Sequence, residues 1–391
     1  MKKRLLAALL AASVILAGCA QNEGNSSGTS NSSSSSNTEN SSAVEENYDG
    51  KLVFDHKMEL KYAEKFSVDY YKGGYKQIKT VDGTTLLIVP EKMSVPKDID
   101  KETIVLQQPI KNIMISSTPT ISLINDIGAL DSVTLTTYDV DSWYIENVKE
   151  ALKSKKMTYV GDYKAPDYEL ISASGTKFAV FSKMLTDDVA AQLDSLGINV
   201  MLDRAADENH PLARVEWMKL YGAMFNLEEE AEKKFESQAA YIDEIAKKEN
   251  TGKTVAIFYI TSKGKLYARN AGDYMAKMVD LAGGKYVLSD VGIGKPGTIN
   301  MEFEAFYEGA KDADYIIYIW SLGGKPNDLN ALLERSNILA DMKAVKNGNV
   351  WCTTPDFFQI SNTLGYMIND INLMLNSDDK TDKLTYLTKL K

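Results

Sequence analysis

Four arginines stand out in this chain because arginine is rare in it. The sequence holds 39 lysines but only five arginines, and four of these lie in its second half: Arg204, Arg214, Arg269 and Arg335. Arg204 and Arg269 fall just past predicted strand ends, and Arg214 opens a predicted helix. The planar guanidinium grips carboxylates and other planar anions with a fork that lysine lacks. The first three are therefore candidate ligand contacts. The competing interpretation is that each only pairs with a nearby acid.

The loops that follow the predicted strands also collect aromatic side chains and lysines. Aromatic walls with a few polar groups line clefts that hold large flat or chelated ligands. For each aromatic residue taken alone, packing in a core is the competing interpretation. Beside the arginines, the candidate ligand-binding residues of these loops are Tyr138, Trp143, Lys164, Pro166, Lys183, Tyr259, Trp320 and Phe357.

The run His210-Pro211-Leu212-Ala213-Arg214-Val215-Glu216-Trp217 is the densest functional-looking stretch. His210 precedes a proline at a predicted helix start, and it could contact an anion or serve as a metal ligand. A satisfied N-terminal cap is the alternative, which we favour. The identity of any metal stays open.

The side-chain inventory argues against an enzyme. The chain has two histidines, His56 and His210, and no Cys–His or Ser–His–Asp arrangement of recognisable spacing. Gly292-Ile293-Gly294 lacks the lysine–hydroxyl pair and the helix that a phosphate-binding loop needs. Protein sites for free zinc usually take several imidazoles or thiolates. We therefore predict a binding protein that has no cofactor of its own.

Residues 1–18 predict a secretion signal, in which three basic residues precede the apolar run from Leu5 to Leu16. Leu16-Ala17-Gly18-Cys19 resembles the lipobox of bacterial lipoproteins. This resemblance implies cleavage before Cys19 and a diacylglycerol thioether on its sulfur, and two acyl chains give stable membrane attachment. The alternative is an ordinary signal peptide with an incidental cysteine.

Residues 19–47 are predicted to form a disordered tether, because serine, asparagine and glycine dominate them and cannot build a core. Loss of the signal would leave 41 basic against 54 acidic side chains, a net charge of −13. Such a surface repels nucleic acid, so no nucleic-acid partner is expected.

The remaining chain predicts an α/β protein of two lobes with mainly parallel sheets. Residues 48–109 read as a small antiparallel β meander, whereas residues 110–225 and 250–391 alternate strands with helices. Residues 226–249 show helical spacing of apolar residues and are predicted to join the lobes as one long helix. Asn226 is its predicted N-cap, with Glu229 as the capping-box partner.

Taken together, these features resemble the substrate-binding lipoproteins of ABC importers, in the class that carries ferric siderophores, haem and cobalamin. The resemblance covers roughly residues 110–375. It rests on the lipobox, Ser116–Thr120, Gln192–Val200, Trp217–Ala231, Tyr274–Gly284 and Ala344–Val350.

This resemblance implies a ligand held between two lobes with modest closure, and delivery of that ligand to a permease and its ATPase. It also implies acids on top of each lobe that dock with the permease: Asp187 or Asp188 in the first lobe, and Asp328 or Glu334 in the second. We expect a monomer, lipid-anchored at the extracellular face of the membrane, that binds a metal chelate, namely a ferric siderophore or haem. Cobalamin is the alternative within the class. An extracellular enzyme or chelatase and a surface sensor or adhesin are alternatives from other classes.

Overall fold

The computed structural model describes residues 50–376 and 382–391. The predicted signal peptide, Cys19 and the tether to residue 47 lie outside the described residues. Within the described part, no helix is long and apolar enough to cross a membrane.

The N-terminal module (residues 50–109) is a five-stranded sheet whose strands follow chain order. The first four strands pair antiparallel, as predicted, but β5 runs parallel to β4. Parallel pairing needs a crossover of a dozen or more residues, and the segment between these two strands is long enough. The prediction of a purely antiparallel meander was therefore wrong at its last strand. The strands are β1 Phe54–Lys57, β2 Phe66–Tyr71, β3 Lys76–Thr80, β4 Thr85–Val89 and β5 Ile104–Gln107.

The first lobe (the N-lobe, residues 110–203) contains a parallel five-stranded sheet of order β12-β11-β6-β7-β8. Every residue of β6 is buried, as expected for a strand with helices on both faces. Its elements are β6 Ile113–Ser116, α1 Thr118–Asp126, β7 Val133–Thr136, α2 Glu146–Lys153, β8 Thr158–Tyr159, β9 Gly161–Asp162, β10 Ala165–Pro166, α3 Tyr168–Ser174, β11 Phe178–Ser182, α4 Asp187–Ser195 and β12 Asn199–Asp203.

Two helices, α5 Pro211–Phe225 and α6 Glu228–Ala246, connect the lobes. Helix α5 is buried on nearly all sides, whereas α6 buries one stripe. A Cβ atom at Gly222 would lie only 2.7 Å from the Cβ of Ala231, so glycine permits the close approach of the two helices.

The predicted N-cap of the long helix is wrong. Asn226 adopts a left-handed conformation with φ 57° and ends α5, where its N–H bonds to the carbonyl of Gly222. Leu227 occupies the N-cap position of α6 without a side-chain bond, so no capping box forms with Glu229. Asparagine suits both positions, and the pattern alone did not separate them.

Helix α6 contacts both lobes along its length. Lys234 pairs with Asp126 at the end of α1, with 3.3 Å between Nζ and Oδ1. One turn later, Gln238 accepts a hydrogen bond of 3.2 Å from the main-chain N–H of Gly365 in the second lobe. Just past the end of α6, Lys248 donates to Asn372.

The second lobe (the C-lobe, residues 250–391) has a separate sheet of order β16-β14-β13-β17-β18-β19, with β15 also paired to β13. Strands β13, β17 and β18 are parallel, whereas β14 and β19 run antiparallel to them and β16 pairs antiparallel with β14. The elements are β13 Thr254–Ile260, β14 Leu266–Arg269, α7 Tyr274–Leu281, β15 Lys285–Tyr286, β16 Thr298–Met301, α8 Phe303–Ala310, β17 Tyr315–Tyr318, α9 Trp320–Gly323, α10 Leu329–Leu333, α11 Lys343–Lys346, β18 Val350–Thr353, α12 Leu364–Asn376 and β19 Leu387–Lys389.

The fold class is thus confirmed: an α/β chain of two lobes, each with its own sheet, joined through helices. The connection is a helix pair, of which α6 covers the predicted segment.

Candidate functional site

Two cations meet one acid at the carboxyl edge of the N-lobe sheet. Lys183 follows β11 and Arg204 follows β12, and these strands are neighbours. Lys183 Nζ lies 3.0 Å from Asp207 Oδ1. Arg204 Nε lies 2.7 Å from Asp207 Oδ2, in an ion pair that lacks hydrogen-bond alignment. Arg204 therefore lies at the sheet edge, as predicted, and it also pairs with a nearby acid, as the competing interpretation proposed. Its side chain is 29% exposed.

Asp203, the last residue of β12, is buried next to this edge and accepts three hydrogen bonds. Its Oδ2 accepts bonds from the hydroxyls of Thr120 and Tyr221 at 2.6 and 2.5 Å, and its Oδ1 accepts the N–H of Ala205. Burial raises the pKa of Asp203, while these hydrogen bonds oppose the shift. These hydrogen bonds connect the end of β12 to α1 and α5 and thereby fix the position of the main chain at Arg204.

Arg214 joins the helix pair to the C-lobe. Its Nη2 and Nε donate to the carbonyls of Ala206 and Glu208 at 2.5 and 3.3 Å. Its guanidinium carbon lies 3.5 Å from the ring centroid of Tyr274, the first residue of α7. A guanidinium in van der Waals contact with an aromatic face is a cation–π pair. The N-lobe edge and the C-lobe therefore meet through this side chain.

Arg269 approaches the same tyrosine from within the C-lobe. It is only 5% exposed, and its guanidinium carbon lies 5.9 Å from the Tyr274 centroid. Nη1 lies 3.6 Å from Oδ2 of the fully buried Asp273. Nε and Nη2 are buried without a hydrogen-bond partner among the described residues. The structure thus places Arg214 and Arg269 around one ring.

The position of Arg269 differs from the prediction in one respect. Strand β14 is antiparallel to β13, and Ala268 pairs with Phe258, so Arg269 lies nearer the amino end of β13. The prediction assumed a parallel strand whose end would reach the ligand-binding edge. Arg269 instead lies behind that edge, beside the contact between α5 and α7.

The predicted aromatic residues fall into two groups. Trp143 and Phe357 are 1% and 2% exposed and belong to the core, so for them the competing packing interpretation holds. Tyr138, Tyr259 and Trp320 remain half-buried. Tyr259 stacks on Tyr267 with 5.3 Å between centroids, and the Lys325 ammonium lies 5.0 Å from the Trp320 ring.

The hairpin of β9 and β10 carries Lys164 and Pro166. Lys164 is exposed, with its ammonium 5.3 Å from the ring of its neighbour Tyr163. Pro166 is buried, so its ring is packed inside the lobe and is not a cleft wall.

His210 is the N-cap of α5, as we favoured. Its Nδ1 accepts the N–H of Leu212 at 3.1 Å, and its ring stacks on Tyr62 of the N-terminal module with centroids 4.7 Å apart. Burial lowers the pKa of His210 to about 4, so the ring is neutral near pH 7. It faces the module and does not join the arginines. In the described part of the chain, no three His, Cys, Asp or Glu residues are arranged to hold a metal ion.

Sequence reasoning missed a direct link between the lobes. Gln359 of the C-lobe accepts the N–H of Tyr144 at 2.9 Å and donates to the carbonyl of Ser142 at 2.7 Å. Ser122 of α1 also donates to Asn362 at 2.6 Å. Each of these bonds joins residues that are more than 200 positions apart in sequence, so no local sequence signal marked them.

The predicted docking acids are all exposed. Asp187 and Asp188 occupy the first turn of α4, just after the carboxyl end of β11. Asp328 caps α10 through the N–H of Ala331, and Glu334 ends that helix. Both C-lobe acids follow the carboxyl end of β17 along the chain.

Comparison with known proteins places this geometry in a family. A family model described as periplasmic binding protein matches residues 120–357. An uncharacterised lipoprotein of Methanocaldococcus jannaschii is 27% identical over 326 residues, which cover 77% of this chain and 77% of that protein.

Two solved structures share the fold. A periplasmic heme binding protein of Vibrio cholerae has a TM-score of 0.55 and 16% identity, over 68% of this chain and 99% of that chain. An ABC-type Fe3+-hydroxamate transport protein of Saccharomonospora viridis has a TM-score of 0.56 and 18% identity, over 69% and 94%. The family match spans both lobes and the helix pair, whereas the N-terminal module precedes it. The chain therefore belongs to the periplasmic binding protein family, whose members bind substrates and are not enzymes.

Proposed function

We propose that this protein is the substrate-binding lipoprotein of an ABC importer and captures an iron complex, a ferric siderophore or haem, between its lobes. Iron arrives with the cargo, and the protein has no cofactor of its own. The bound complex is then handed to a permease that its ATPase drives.

The observation that carries this proposal is a pair of partly exposed cations at the carboxyl edge of the N-lobe sheet, close to the arginines that contact the C-lobe. The side chains of Lys183 and Arg204 are 49% and 29% exposed and share one acid, Asp207. Arg214 and Arg269 lie around Tyr274 of the C-lobe. A partly exposed guanidinium or ammonium group can bind an anionic group of a ligand through charge-assisted hydrogen bonds. Haem propionates and the anionic groups of many ferric chelates fit this chemistry.

The printed descriptions of the structural neighbours support the same class of ligand. They name heme binding and Fe3+-hydroxamate transport. The half-buried Tyr138, Tyr259 and Trp320 offer ring surface for such flat or chelated ligands.

The proposal includes the place and partners of the protein. Cys19 is its lipid attachment site, and the tether holds the lobes at the extracellular face of the membrane. The relative from Methanocaldococcus jannaschii is described as a lipoprotein, which supports this anchoring. Asp187 and Asp188 on one lobe, with Asp328 and Glu334 on the other, dock a monomer onto the permease.

Titration by tryptophan fluorescence tests the proposal, with haemin, a ferric tris-catecholate, a ferric tris-hydroxamate and cobalamin as ligands. Of the four tryptophans, only Trp320 is not buried, so quenching that a Trp320→Phe variant loses reports binding near it. Saturable binding of one equivalent of an iron complex supports the proposal. If only cobalamin binds, the ligand is a corrinoid and not an iron complex. Chemical change of the ligand would indicate an enzyme.

A further inference from the structure

Two buried glutamates, Glu208 just before the His210 run and Glu216 within it, bind the main chain of the N-terminal module. Glu216 Oε1 accepts the N–H of Lys61, and its Oε2 accepts those of Tyr62 and Ala63, all at 2.8 Å. Glu208 Oε1 accepts the N–H groups of Glu64 and Lys65 at 3.1 and 3.0 Å. Five consecutive main-chain donors thus converge on two carboxylates.

The two carboxylates are almost fully enclosed. Glu208 is 2% exposed and Glu216 is not exposed. A buried carboxylate is tolerated only when charged or polar partners satisfy it. Glu216 also lies 3.2 Å from Lys219 Nζ, and Glu208 accepts the indole N–H of Trp217 at 3.1 Å. The module is therefore needed to satisfy both acids.

The module contacts the helix pair on the same side through other side chains. Phe66 packs edge-on against Trp217 with 5.0 Å between centroids, and Tyr62 lies 6.3 Å from Phe235 of α6. Near the turn between the helices, Gln108 exchanges two hydrogen bonds with Asn226 at 2.8 and 3.0 Å.

Residues 204–216 carry both glutamates and two arginines of the candidate site, Arg204 and Arg214. The side chain of Glu208 holds the module, while its carbonyl receives Arg214 Nε. Arg214 Nη2 bonds the carbonyl of Ala206, next to Asp207, which pairs with Arg204. The main chain at 206–208 is thus held from outside by the module and from inside by the arginines.

From this geometry we infer that Glu208 and Glu216 are positioning residues: by binding residues 61–65 of the module, they fix the segment that places Arg204 and Arg214. The module is then an integral part of the receptor. The functional meaning of this inference rests on the proposed function.

Hydrogen exchange and ligand titration of Glu208→Gln and Glu216→Gln test the inference. Glutamine has no negative charge, and it replaces one accepting oxygen with an NH₂ group that can only donate. Hydrogen exchange of the main-chain N–H groups at residues 61–65 should therefore rise at least tenfold. Exchange at residues 204–214 should rise as well, and affinity for a ferric tris-catecholate should fall at least fivefold. Glu229→Gln is the matched control, because exposed Glu229 lies on α6 and its loss removes the same charge. It should change none of these values.

Two further variants separate positioning from general destabilisation. Arg214→Met should weaken the ligand without raising exchange at residues 61–63, which Glu216 binds. Glu216→Asp keeps the charge and should retain more protection there than Glu216→Gln. If the Glu216 variants do not fold, Glu208→Gln carries the test, because it affects only two of the five donors.

Unchanged exchange at residues 61–65 would overturn the anchoring role. Increased exchange there, with residues 204–214 and affinity both unchanged, would overturn the positioning role while leaving the proposed function intact. If the wild type binds none of the iron complexes, the proposed function fails, and exchange at residues 204–214 still decides whether the module fixes the segment.

Discussion

The guanidinium carbon of Arg214 lies 3.5 Å from the ring centroid of Tyr274, and this contact joins the helix pair to the C-lobe. Arg269 approaches the same ring from within the C-lobe. Arg204 pairs with Asp207, which lies between the two residues whose carbonyls Arg214 binds. The three arginines therefore lie near the contact between the helix pair and the C-lobe, and the partly exposed Arg204 is the physical basis of the proposed anion binding.

Arg204→Ala should weaken an anionic ligand by about 1.5–3 kcal/mol, the usual range for a hydrogen bond to a charged group. Arg204 is a better choice than Arg269, whose loss would leave the buried Asp273 without its cation. Fluorescence titration measures the effect. Lys311→Ala is the control, since Lys311 pairs with Glu308 on α8. Equal affinity of the Arg204 variant and wild type would remove this arginine from the site.

Gln359→Ala should lower the free energy of unfolding by about 1–3 kcal/mol, because two hydrogen bonds between the lobes are lost. Urea denaturation monitored by circular dichroism gives this value. Gln192→Ala, at an exposed position of α4, provides the comparison and should stay within about 0.5 kcal/mol of wild type. A Gln359 variant as stable as that comparison would show that these bonds add nothing to lobe contact.

His210→Asn should reduce the loss of folding stability that occurs as the pH falls. The folded-state pKa of His210 is lowered by burial from 6.5 to about 4. The unfolded chain therefore binds the proton more tightly, and the stabilisation present above pH 6.5 is lost as pH falls towards 4. Asparagine preserves the N-cap but does not titrate. Urea midpoints at pH 5 and 7.5 measure the difference.

The other histidine offers a matched control for that measurement. His56 also stacks on a tyrosine, Tyr70, but its side chain is 61% exposed. His56→Asn should keep the wild-type loss of stability between pH 7.5 and 5. The interpretation fails if His210→Asn shows that same loss.

Reversal of charge at Asp187 and Asp188 to lysine should leave ligand affinity intact but reduce uptake by cells. Both acids are exposed, and the acid that pairs with Lys183 and Arg204 is Asp207 instead. Uptake of radioiron in a strain that lacks the native protein is the measurement. The module variant Glu91→Lys with Asp98→Lys, also exposed, makes the same change of charge and should transport normally. Normal uptake by the Asp187 and Asp188 variant would end the docking assignment.

Local patterns were enough to predict the two lobes, because apolar strand runs such as β6, β7 and β11 are followed by amphipathic helices. The cap at His210 was predictable too, since a proline follows it. The orientation of β14 was not, because an apolar run has the same composition in parallel and antiparallel pairing. The contacts of Gln359, Glu208 and Glu216 could not be predicted for another reason. Each acts on a partner more than 140 residues away in sequence, and no periodicity records such a contact.

Equilibrium dialysis of the purified protein against radioiron-labelled siderophores and haemin tests the central claim most directly. We predict that one equivalent of at least one iron complex binds, that added salt weakens it, and that extraction returns it chemically unchanged. Absence of binding by every iron complex at micromolar concentration, or recovery of an altered ligand, would contradict the account.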